Sequence, residues 1–204
     1  MSENSDISNH GPIPESYWVV KGKFLAGEYP GSLYRQEGLE KIARILSAGV
    51  TVFMDLTEEG ELFPYARDLA GIHVIPLSRG PEGSSAPGDF PASSGFPRRD
   101  SRRIIHERYP IPDAGLPESP AFTARVLDAI DLHLEKGKTI YLHCLGGIGR
   151  TGTIVGCWLS RHGRPGQAAL DELSRLWRGC VKSSQGIASP ETLRQERYVR
   201  EWRG

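Results

Sequence analysis

The sequence is poor in cysteine, carries no excess of either charge and contains no long apolar run. Its 3 cysteines among 204 residues are an odd number, which does not suggest a disulfide framework. Basic and acidic residues number 25 each, so the formal net charge of +0 gives no electrostatic reason for broad binding to nucleic acid or to a membrane surface. No stretch is long and apolar enough to span a bilayer. We therefore expect a soluble protein.

Metal-binding patterns are also missing. Cys157 and Cys180 form no Cys-x-x-Cys pair, and the histidines outside the 141–152 segment are scattered without the spacing of metal ligands. These histidines are His10, His73, His106, His133 and His162. We predict neither a metal site nor a cofactor.

The first sixteen residues differ in composition from the rest of the chain. They are polar, with Asn, Ser, Gly and Pro, and have neither a basic start nor an apolar core, so we expect a disordered segment at 1–16 rather than a signal peptide. The remaining residues, 17–204, are sufficient for one compact domain with a substantial core.

Strand and helix patterns alternate through this domain and predict an α/β fold. Strands are predicted at 18–20, 24–26, 50–56, 72–77, 104–109 and 138–143. Helices are predicted at 32–48, 62–70, 119–135, 151–161, 165–177 and 190–202. Ser189 is the expected N-cap of the last helix.

One region, about 78–103, has almost no periodicity and is rich in Gly, Pro, Ser and Arg. We interpret it as a long insertion loop, since loops of this length in compact domains are usually functional or disordered. Its basic end contains Arg98, Arg99, Arg102 and Arg103. These arginines either recruit a second phosphate or an acidic substrate flank, or form an ordinary solvated surface.

The most informative segment joins a strand to a helix at 141–152. Gly146, Gly147 and Gly149 allow a short loop to adopt backbone angles closed to other residues and to turn its amides inward. The loop leads into an apolar helix, whose free N–H groups and dipole favour negative charge at its start. The segment therefore predicts an anion site, and phosphate is the natural ligand.

Cys144 and Arg150 supply the chemistry of this loop. A thiolate is the attacking form of cysteine, and an electropositive surrounding favours the thiolate. Arg150, six residues later, can bind two phosphate oxygens with its planar fork, which a lysine cannot do. The alternative is a glycine-rich strand-to-helix turn that holds a buried, inert thiol.

The sequence His-Cys-x5-Arg-Thr-Gly resembles the signature loop of the cysteine-based protein tyrosine and dual-specificity phosphatases. The resemblance implies a single-domain α/β fold with a mostly parallel central sheet flanked by helices. It makes Cys144 the nucleophile that forms a phosphocysteine, Arg150 the phosphate ligand and Thr151 the hydroxyl that assists departure of the thiolate. The phosphate-binding loop then comprises Leu145, Gly146, Gly147, Ile148, Gly149 and Arg150. The signature cysteine must be reduced to act, so we expect a cytoplasmic protein. We also expect a monomer.

A general acid is expected upstream of the loop. Asp113 lies in a stretch rich in proline and glycine that resembles the acid loop of the family. One carboxyl there can protonate the leaving oxygen and later activate the water that attacks the phosphoenzyme. The alternative is an aspartate that fixes a turn through its own backbone.

Two further residues have supporting roles in this interpretation. His143 cannot easily act as a base toward Cys144, because adjacent strand residues point to opposite faces. The resemblance makes it a structural hydrogen-bonding residue behind the loop. Gln195 lies in a stretch that resembles the late glutamine region of the family, and it either faces the catalytic water or is an ordinary solvent-facing helix residue.

The same loop serves several substrate classes in the family. The resemblance favours a protein phosphatase for phosphotyrosine and for phosphoserine or phosphothreonine, because the variable loop residues are uncharged and a polyphosphorylated lipid would be expected to require lysine there. The alternatives are a phosphatase of phosphoinositides, inositol phosphates or RNA 5′-triphosphates, and a binding module that captures a phosphorylated partner without turnover.

Overall fold

The structure, a computed structural model, describes residues 9–69 and 103–204. Its strands are β1 (Ser16–Val20), β2 (Phe24–Gly27), β3 (Val52–Asp55), β4 (Ile105–Arg108) and β5 (Ile140–His143). Its helices are α1 (Arg35–Ser47), α2 (Ala66–Leu69), α3 (Pro120–Glu135), α4 (Gly149–Arg161), α5 (Gln167–Trp177) and α6 (Leu193–Glu201), with a 3-10 helix at Val181–Gln185.

These strands form one mixed sheet in the order β1-β2-β5-β3-β4. The β1–β2 hairpin is antiparallel, and β2, β5, β3 and β4 run parallel. Gly27 and Asp55 are both register partners of His143, so β2, β3 and β5 end together. Loops that leave the carboxyl ends of parallel strands meet at one edge of the sheet, where ligands bind in open α/β folds. The predicted α/β fold with a mostly parallel sheet is confirmed.

Each face of the sheet carries its own core, because alternate strand residues point to opposite sides. Leu25, Phe53 and Tyr141 belong to the core that includes Ile42 and Ile45 of α1. Their strand neighbours belong to a larger core with α3, α4, α5 and α6, which includes Ala26, Met54, Leu142, Val126, Ile154, Leu173 and Val199. The helices therefore flank the sheet on both faces.

Residues 9–15, which precede β1, pack against the rest of the domain. The expectation of disorder up to Ser16 is therefore wrong for these residues. His10 forms an isolated bridge with Tyr17, and Ile13 is buried in the core beside α1. The hydroxyl of Ser16 donates to the carbonyl of Ile13, closing a tight turn. One apolar side chain and this local turn anchor a polar segment that composition alone does not identify. Residues 1–8 lie outside the described residues.

The last helix begins later than expected, and Ser189 is not its cap. Thr192 is the N-cap: its side chain accepts a hydrogen bond from the backbone of Gln195, whose own side chain accepts one from the backbone of Thr192. This reciprocal capping box satisfies two helix-start donors at once, which a lone serine cannot do. Ser189 instead donates to the carbonyl of Ile148, at the loop that precedes α4.

The predicted strand at 72–77 and nearly all of the insertion at 78–103, including Arg98, Arg99 and Arg102, lie outside the described residues. Arg103 is described and is exposed.

Candidate active site

A tightly turned loop joins β5 to α4. Gly147 has φ +71°, a conformation that L side chains rarely adopt. A β-carbon at Gly147 would lie 2.3 Å from the carbonyl carbon of Gly27, so this position is closed to other residues for steric reasons as well. The carbonyl of Leu145 accepts a hydrogen bond from the backbone of Tyr29 at 2.9 Å. The end of β2 thus holds the loop in its bend.

The loop leaves a run of backbone donors available. Among the described residues, no acceptor is found for the backbone N–H groups of residues 145–151, and the first such bond of α4 runs from Gly152 to Ile148. Buried backbone donors are normally paired, and the unpaired donors at a helix start are the usual ligands of anions. The loop is therefore built to receive an anion.

Cys144 lies at the base of a cleft of about 160 Å³ above this loop. The cleft is lined by Asp113, Ala114, Cys144, Leu145, Gly146, Ile148, Gly149, Arg150 and Glu191. Cys157 and Cys180 are buried elsewhere in the core, and burial raises the pKa of both thiols. The geometry singles out Cys144 as the cysteine that a bound molecule can reach.

Arg150 is held in place by carboxylates. Its side chain is 1% exposed, and its Nη1 and Nη2 atoms donate to Oε2 and Oε1 of Glu61 at 2.8 and 2.7 Å. Nη1 also donates to the carbonyl of Ile111 at 3.1 Å. Within the described part of the chain, Nε has no protein acceptor. Both Nη groups are thus engaged by the protein, including a bond from Nη2 to Asp113, and Nε is left for a ligand, whereas the sequence predicted that two donors of the fork would bind phosphate.

Glu61 was not predicted from the sequence. It lies in the loop after β3, and hydrogen bonding to Arg150 lowers the pKa of its carboxyl, so it is anionic at neutral pH. The only sequence signal is a small group of glutamates, Glu58, Glu59 and Glu61, directly after a buried strand. That signal does not indicate which of them turns inward.

Asp113 reaches the cleft from the loop between β4 and α3. Its Oδ1 accepts a hydrogen bond from Nη2 of Arg150 at 2.8 Å, while its side chain is 65% exposed. The loop turns sharply here, with Ala114 at φ 52° and the backbone N–H of Gly115 donating to Pro112. A carboxyl at the mouth of the cleft, close to Arg150, can reach the leaving oxygen of a bound phosphoester.

Thr151 follows Arg150 as the third residue of α4 and is completely buried. Its hydroxyl has no hydrogen-bond partner among the described residues. Buried hydroxyls usually have a hydrogen-bond partner, so this one has a donor and an acceptor available at the start of α4.

His143 lies in a buried polar network behind the loop. Its Nε2 shares a hydrogen bond of 2.6 Å with the hydroxyl of Tyr65, and burial lowers its pKa to about 4, so the ring is neutral at pH 7. Its Nδ1 lies 3.9 Å from Oδ1 of Asp55. Burial alone would raise the pKa of Asp55, but contact with His106 and hydrogen bonds from Thr57 outweigh it and hold that pKa well below its usual range.

Of the two alternatives offered by the sequence for Gln195, the structure excludes one, and a role beside the catalytic water stays a prediction. Its side chain is fully buried, so it is not a solvent-facing helix residue. Its Oε1 accepts from the backbone of Thr192, and its Nε2 donates to the carbonyl of Gly115 at 3.0 Å, so both polar ends are engaged by backbone groups. Gln195 therefore ties the loop that carries Asp113 to the start of α6.

In residues 9–69 and 103–204, no cluster of three or more His, Cys, Asp or Glu side chains has the arrangement of a metal site. None of the helices in those two ranges has the length and apolar character needed to cross a membrane.

Comparison with known proteins agrees with this geometry. Residues 100–164, about a third of the chain, match the profile of the family described as Tc-R-P, "Polymorphic toxin system, DSP-PTPase phosphatase". Cyclin-dependent kinase inhibitor 3 of Sus scrofa is 30% identical over 103 residues, which cover 49% of this chain and 44% of that protein. Protein 067L of Invertebrate iridescent virus 3, named as a candidate tyrosine phosphatase, is 26% identical over 72% of this chain and 46% of the viral protein. The chain thus spans less than half the length of these relatives.

Solved structures with the same fold cover nearly the whole chain. Tk-PTP in its active form has a TM-score of 0.59 at 23% identity and covers 93% of this chain and 96% of its own. Kinase associated phosphatase has a TM-score of 0.55 at 19% identity, with coverage of 88% and 85%. PTPMT1 in complex with PI(5)P has a TM-score of 0.58 at 13% identity, with coverage of 92% and 94%. The fold, the family match over residues 100–164 and the arrangement around Cys144 are similar to those of dual-specificity-phosphatase-like proteins of the cysteine-based protein tyrosine phosphatase superfamily.

Proposed function

We propose that this protein hydrolyses phosphomonoesters on proteins, both phosphotyrosine and phosphoserine or phosphothreonine, through a phosphocysteine on Cys144. One observation carries the proposal: Cys144, Arg150 and Asp113 line the same cleft, above a loop whose backbone N–H groups lack protein partners among the described residues. A nucleophile, an anion site and a proton donor are the three parts that such a hydrolysis requires.

In the first step, the Cys144 thiolate attacks phosphorus in line with the leaving oxygen. The loop amides and the Nε group of Arg150 bind the phosphoryl oxygens, and these contacts strengthen as charge shifts in the transition state. Glu61 holds the guanidinium in position, so little reorganisation is needed. Asp113 transfers its proton to the leaving oxygen, the P–O bond breaks, and the free alcohol or phenol departs.

In the second step, water attacks the phosphocysteine, and Cys144 leaves as a thiolate with release of inorganic phosphate. The hydroxyl of Thr151, which is buried and has no partner among the described residues, is available to donate a hydrogen bond to the departing sulfur. His143, neutral and bonded to Tyr65, supports the strand end from which Cys144 projects.

The charge of the cleft favours a substrate with a single phosphate. Among the described residues that line it, Arg150 is the one cation, while Asp113 and Glu191 are carboxylates. A phosphoinositide or inositol phosphate with several phosphates, or an RNA 5′-triphosphate, would bring excess negative charge to a site without cations to match it. PTPMT1 in complex with PI(5)P has the same fold, so a lipid with one ring phosphate is the alternative to test.

Exposed apolar side chains near the cleft also favour a polypeptide. Leu145 lines the cleft and is 42% exposed. Phe63 and Leu193, both more than two-thirds exposed, lie in the segments that carry Glu61 and Glu191. Val181, also exposed, precedes Lys182, whose ammonium group donates to the carbonyl of Gly146. Leu145 is thus an apolar contact that the cleft itself offers to a substrate.

The test is phosphate release from matched phosphotyrosine and phosphothreonine peptides in EDTA, with vesicles containing PI(5)P as a third substrate. We expect release from both peptides, its abolition in Cys144→Ser, and a decrease of about 10² to 10⁴ in Asp113→Asn, the usual contribution of general acid catalysis. Release from the vesicles alone would replace the protein substrate by a lipid. Release from none, with retained affinity for the peptides, would favour a binding module.

A further inference from the structure

A second carboxylate, Glu191, lies in the cleft beside the phosphate-binding loop. It precedes the capping box of α6 and lines the cleft together with Cys144 and Arg150. Its Oε2 is 2.9 Å from the position that a β-carbon on Gly149 would occupy, so the carboxylate packs directly over the first residue of α4. Glu191 was not singled out in the sequence.

The charge of Glu191 opposes the first task of the site, which is to bind an anion. Among the described residues no hydrogen bond or ion pair is found for its carboxylate, whereas Asp113 in the same cleft is paired with Arg150. Two like charges about 4 Å apart repel by about 1 kcal/mol in water, and by more in a cleft from which water is partly excluded. Glu191 is exposed to solvent, and a step after substrate binding is where its negative charge has a use.

The two loops that carry these carboxylates are held together. Gln195 bonds to the carbonyl of Gly115 on the Asp113 loop and to the backbone of Thr192, the residue after Glu191. A β-carbon on Gly149 would also lie 2.9 Å from the amide of Gln195. The loop before α3 and the loop before α6 are therefore held together above the start of α4, and each contributes one acidic side chain to the cleft.

We propose that Glu191 is the base of the second step, accepting the proton of the water that hydrolyses the phosphocysteine; this rests on the function proposed above. Water oxygen forms a bond to phosphorus, the P–S bond breaks with its electron pair remaining on Cys144, and one water proton passes to the carboxylate of Glu191. Inorganic phosphate leaves, Glu191 returns its proton to solvent, and Asp113 takes up a proton from solvent before the next turnover. Asp113 then serves as the acid of the first step, and the dual role expected for it from the sequence is divided between two residues.

The contacts of the two carboxylates support this division. Oδ1 of Asp113 accepts a hydrogen bond from Arg150, so one of its oxygens is already engaged. Both oxygens of Glu191 are without a hydrogen bond from any described group and can bind a water molecule over the loop. A base needs a free lone pair within hydrogen-bond reach of the water that it activates.

The test separates the two steps with p-nitrophenyl phosphate under rapid mixing, because p-nitrophenol leaves in the first step and inorganic phosphate in the second. For Glu191→Gln we expect a burst of one p-nitrophenol per active chain, an acid-quenched phosphocysteine on Cys144, and a steady-state kcat lower by about 10²-fold, the lower end of general base catalysis. Glu191→Asp should recover part of the turnover. Glu201→Gln, which changes an exposed carboxylate at the C-terminal end of α6, is the matched control and should behave as the wild type.

Different outcomes overturn different statements. An unchanged kcat in Glu191→Gln, with or without a lower KM, would show that Glu191 merely repels anions and would overturn the proposal. Turnover by the wild type in the same experiment would leave the proposed function intact. A wild type that forms no phosphocysteine and releases no phosphate would overturn the proposed function and this assignment together. Thermal unfolding of each variant shows that the chain is folded when it is assayed.

Discussion

Glu61 and Arg150 form a two-point ion pair beneath the cleft, with Oε2–Nη1 and Oε1–Nη2 distances of 2.8 and 2.7 Å. The paired geometry fixes the plane of the guanidinium as well as its position. The same loop contributes Tyr65, whose hydroxyl is bonded to His143. The short segment after β3 therefore contacts both His143, which precedes Cys144 in the chain, and Arg150, which follows it.

Replacing Glu61 by glutamine should misalign Arg150. The variant keeps the shape of the side chain but loses its charge, and hydrogen bonds to charged groups are worth about 1.5–3 kcal/mol. We expect kcat/KM for a phosphopeptide to fall by roughly 10- to 100-fold, mainly through kcat. Glu59→Gln, in the same turn and exposed, is the control and should retain full activity. Equal activity of the two variants would contradict a positioning role for Glu61.

Gly147→Ala should distort the phosphate-binding loop through a steric clash, which Gly137→Ala should not cause. Both Gly147 and Gly137 have positive φ, which costs an alanine about 1–2 kcal/mol. A β-carbon at Gly137 would meet no atom within 4 Å, whereas one at Gly147 would meet the backbone of Gly27 at 2.3 Å. We expect Gly147→Ala to lose at least about 100-fold in kcat, since displacements near 1 Å have effects of this size. Gly137→Ala should lose only stability, and similar kinetics in both variants would refute the steric argument.

Gln195→Ala should weaken both the helix start and the acid loop. Loss of the capping box is expected to lower the free energy of unfolding by about 1 kcal/mol. Loss of the bond to Gly115 frees the loop that carries Asp113, so kcat should fall more than the small change in stability would explain. Urea unfolding and steady-state kinetics measure the two effects, with exposed Gln185→Ala as the control. A stability loss with an unchanged kcat would show that Gln195 is only a cap.

Protein stability should fall between pH 6.5 and 4 because of His143. The unfolded chain takes up a proton at this residue near pH 6.5, whereas the buried ring does so only near pH 4. Protonation in that interval favours the unfolded state, so the stabilisation is complete above pH 6.5 and decreases as the pH falls, by on the order of 3 kcal/mol in total. Urea unfolding at several pH values measures the slope. In His143→Gln the slope over this interval should be smaller, and an unchanged slope would contradict this explanation.

Much of the architecture follows from sequence pattern. The alternating strand and helix periodicities predict the α/β class and most elements. They do so because core-facing residues recur with one period in a strand and with another in a helix. The element boundaries are less well predicted. The start of α6 is displaced because Thr192 and Gln195 cap each other, and a reciprocal side-chain contact is a weaker signal than a serine before a proline.

The sequence alone determined the chemistry offered by the loop: a cysteine, glycines and an arginine at fixed spacing are local, and local spacing is sufficient to bring them to one helix start. Tertiary structure alone decided which acidic residues surround that loop. Glu61, Asp113 and Glu191 come from three separate loops, and Asp113 was found only through a family resemblance. Their distances to Arg150 and Gly149 depend on the common ending of β2, β3 and β5 and on the packing of α6 against α4. Contacts between residues so far apart in the chain arise from closure of the fold, which no local pattern encodes.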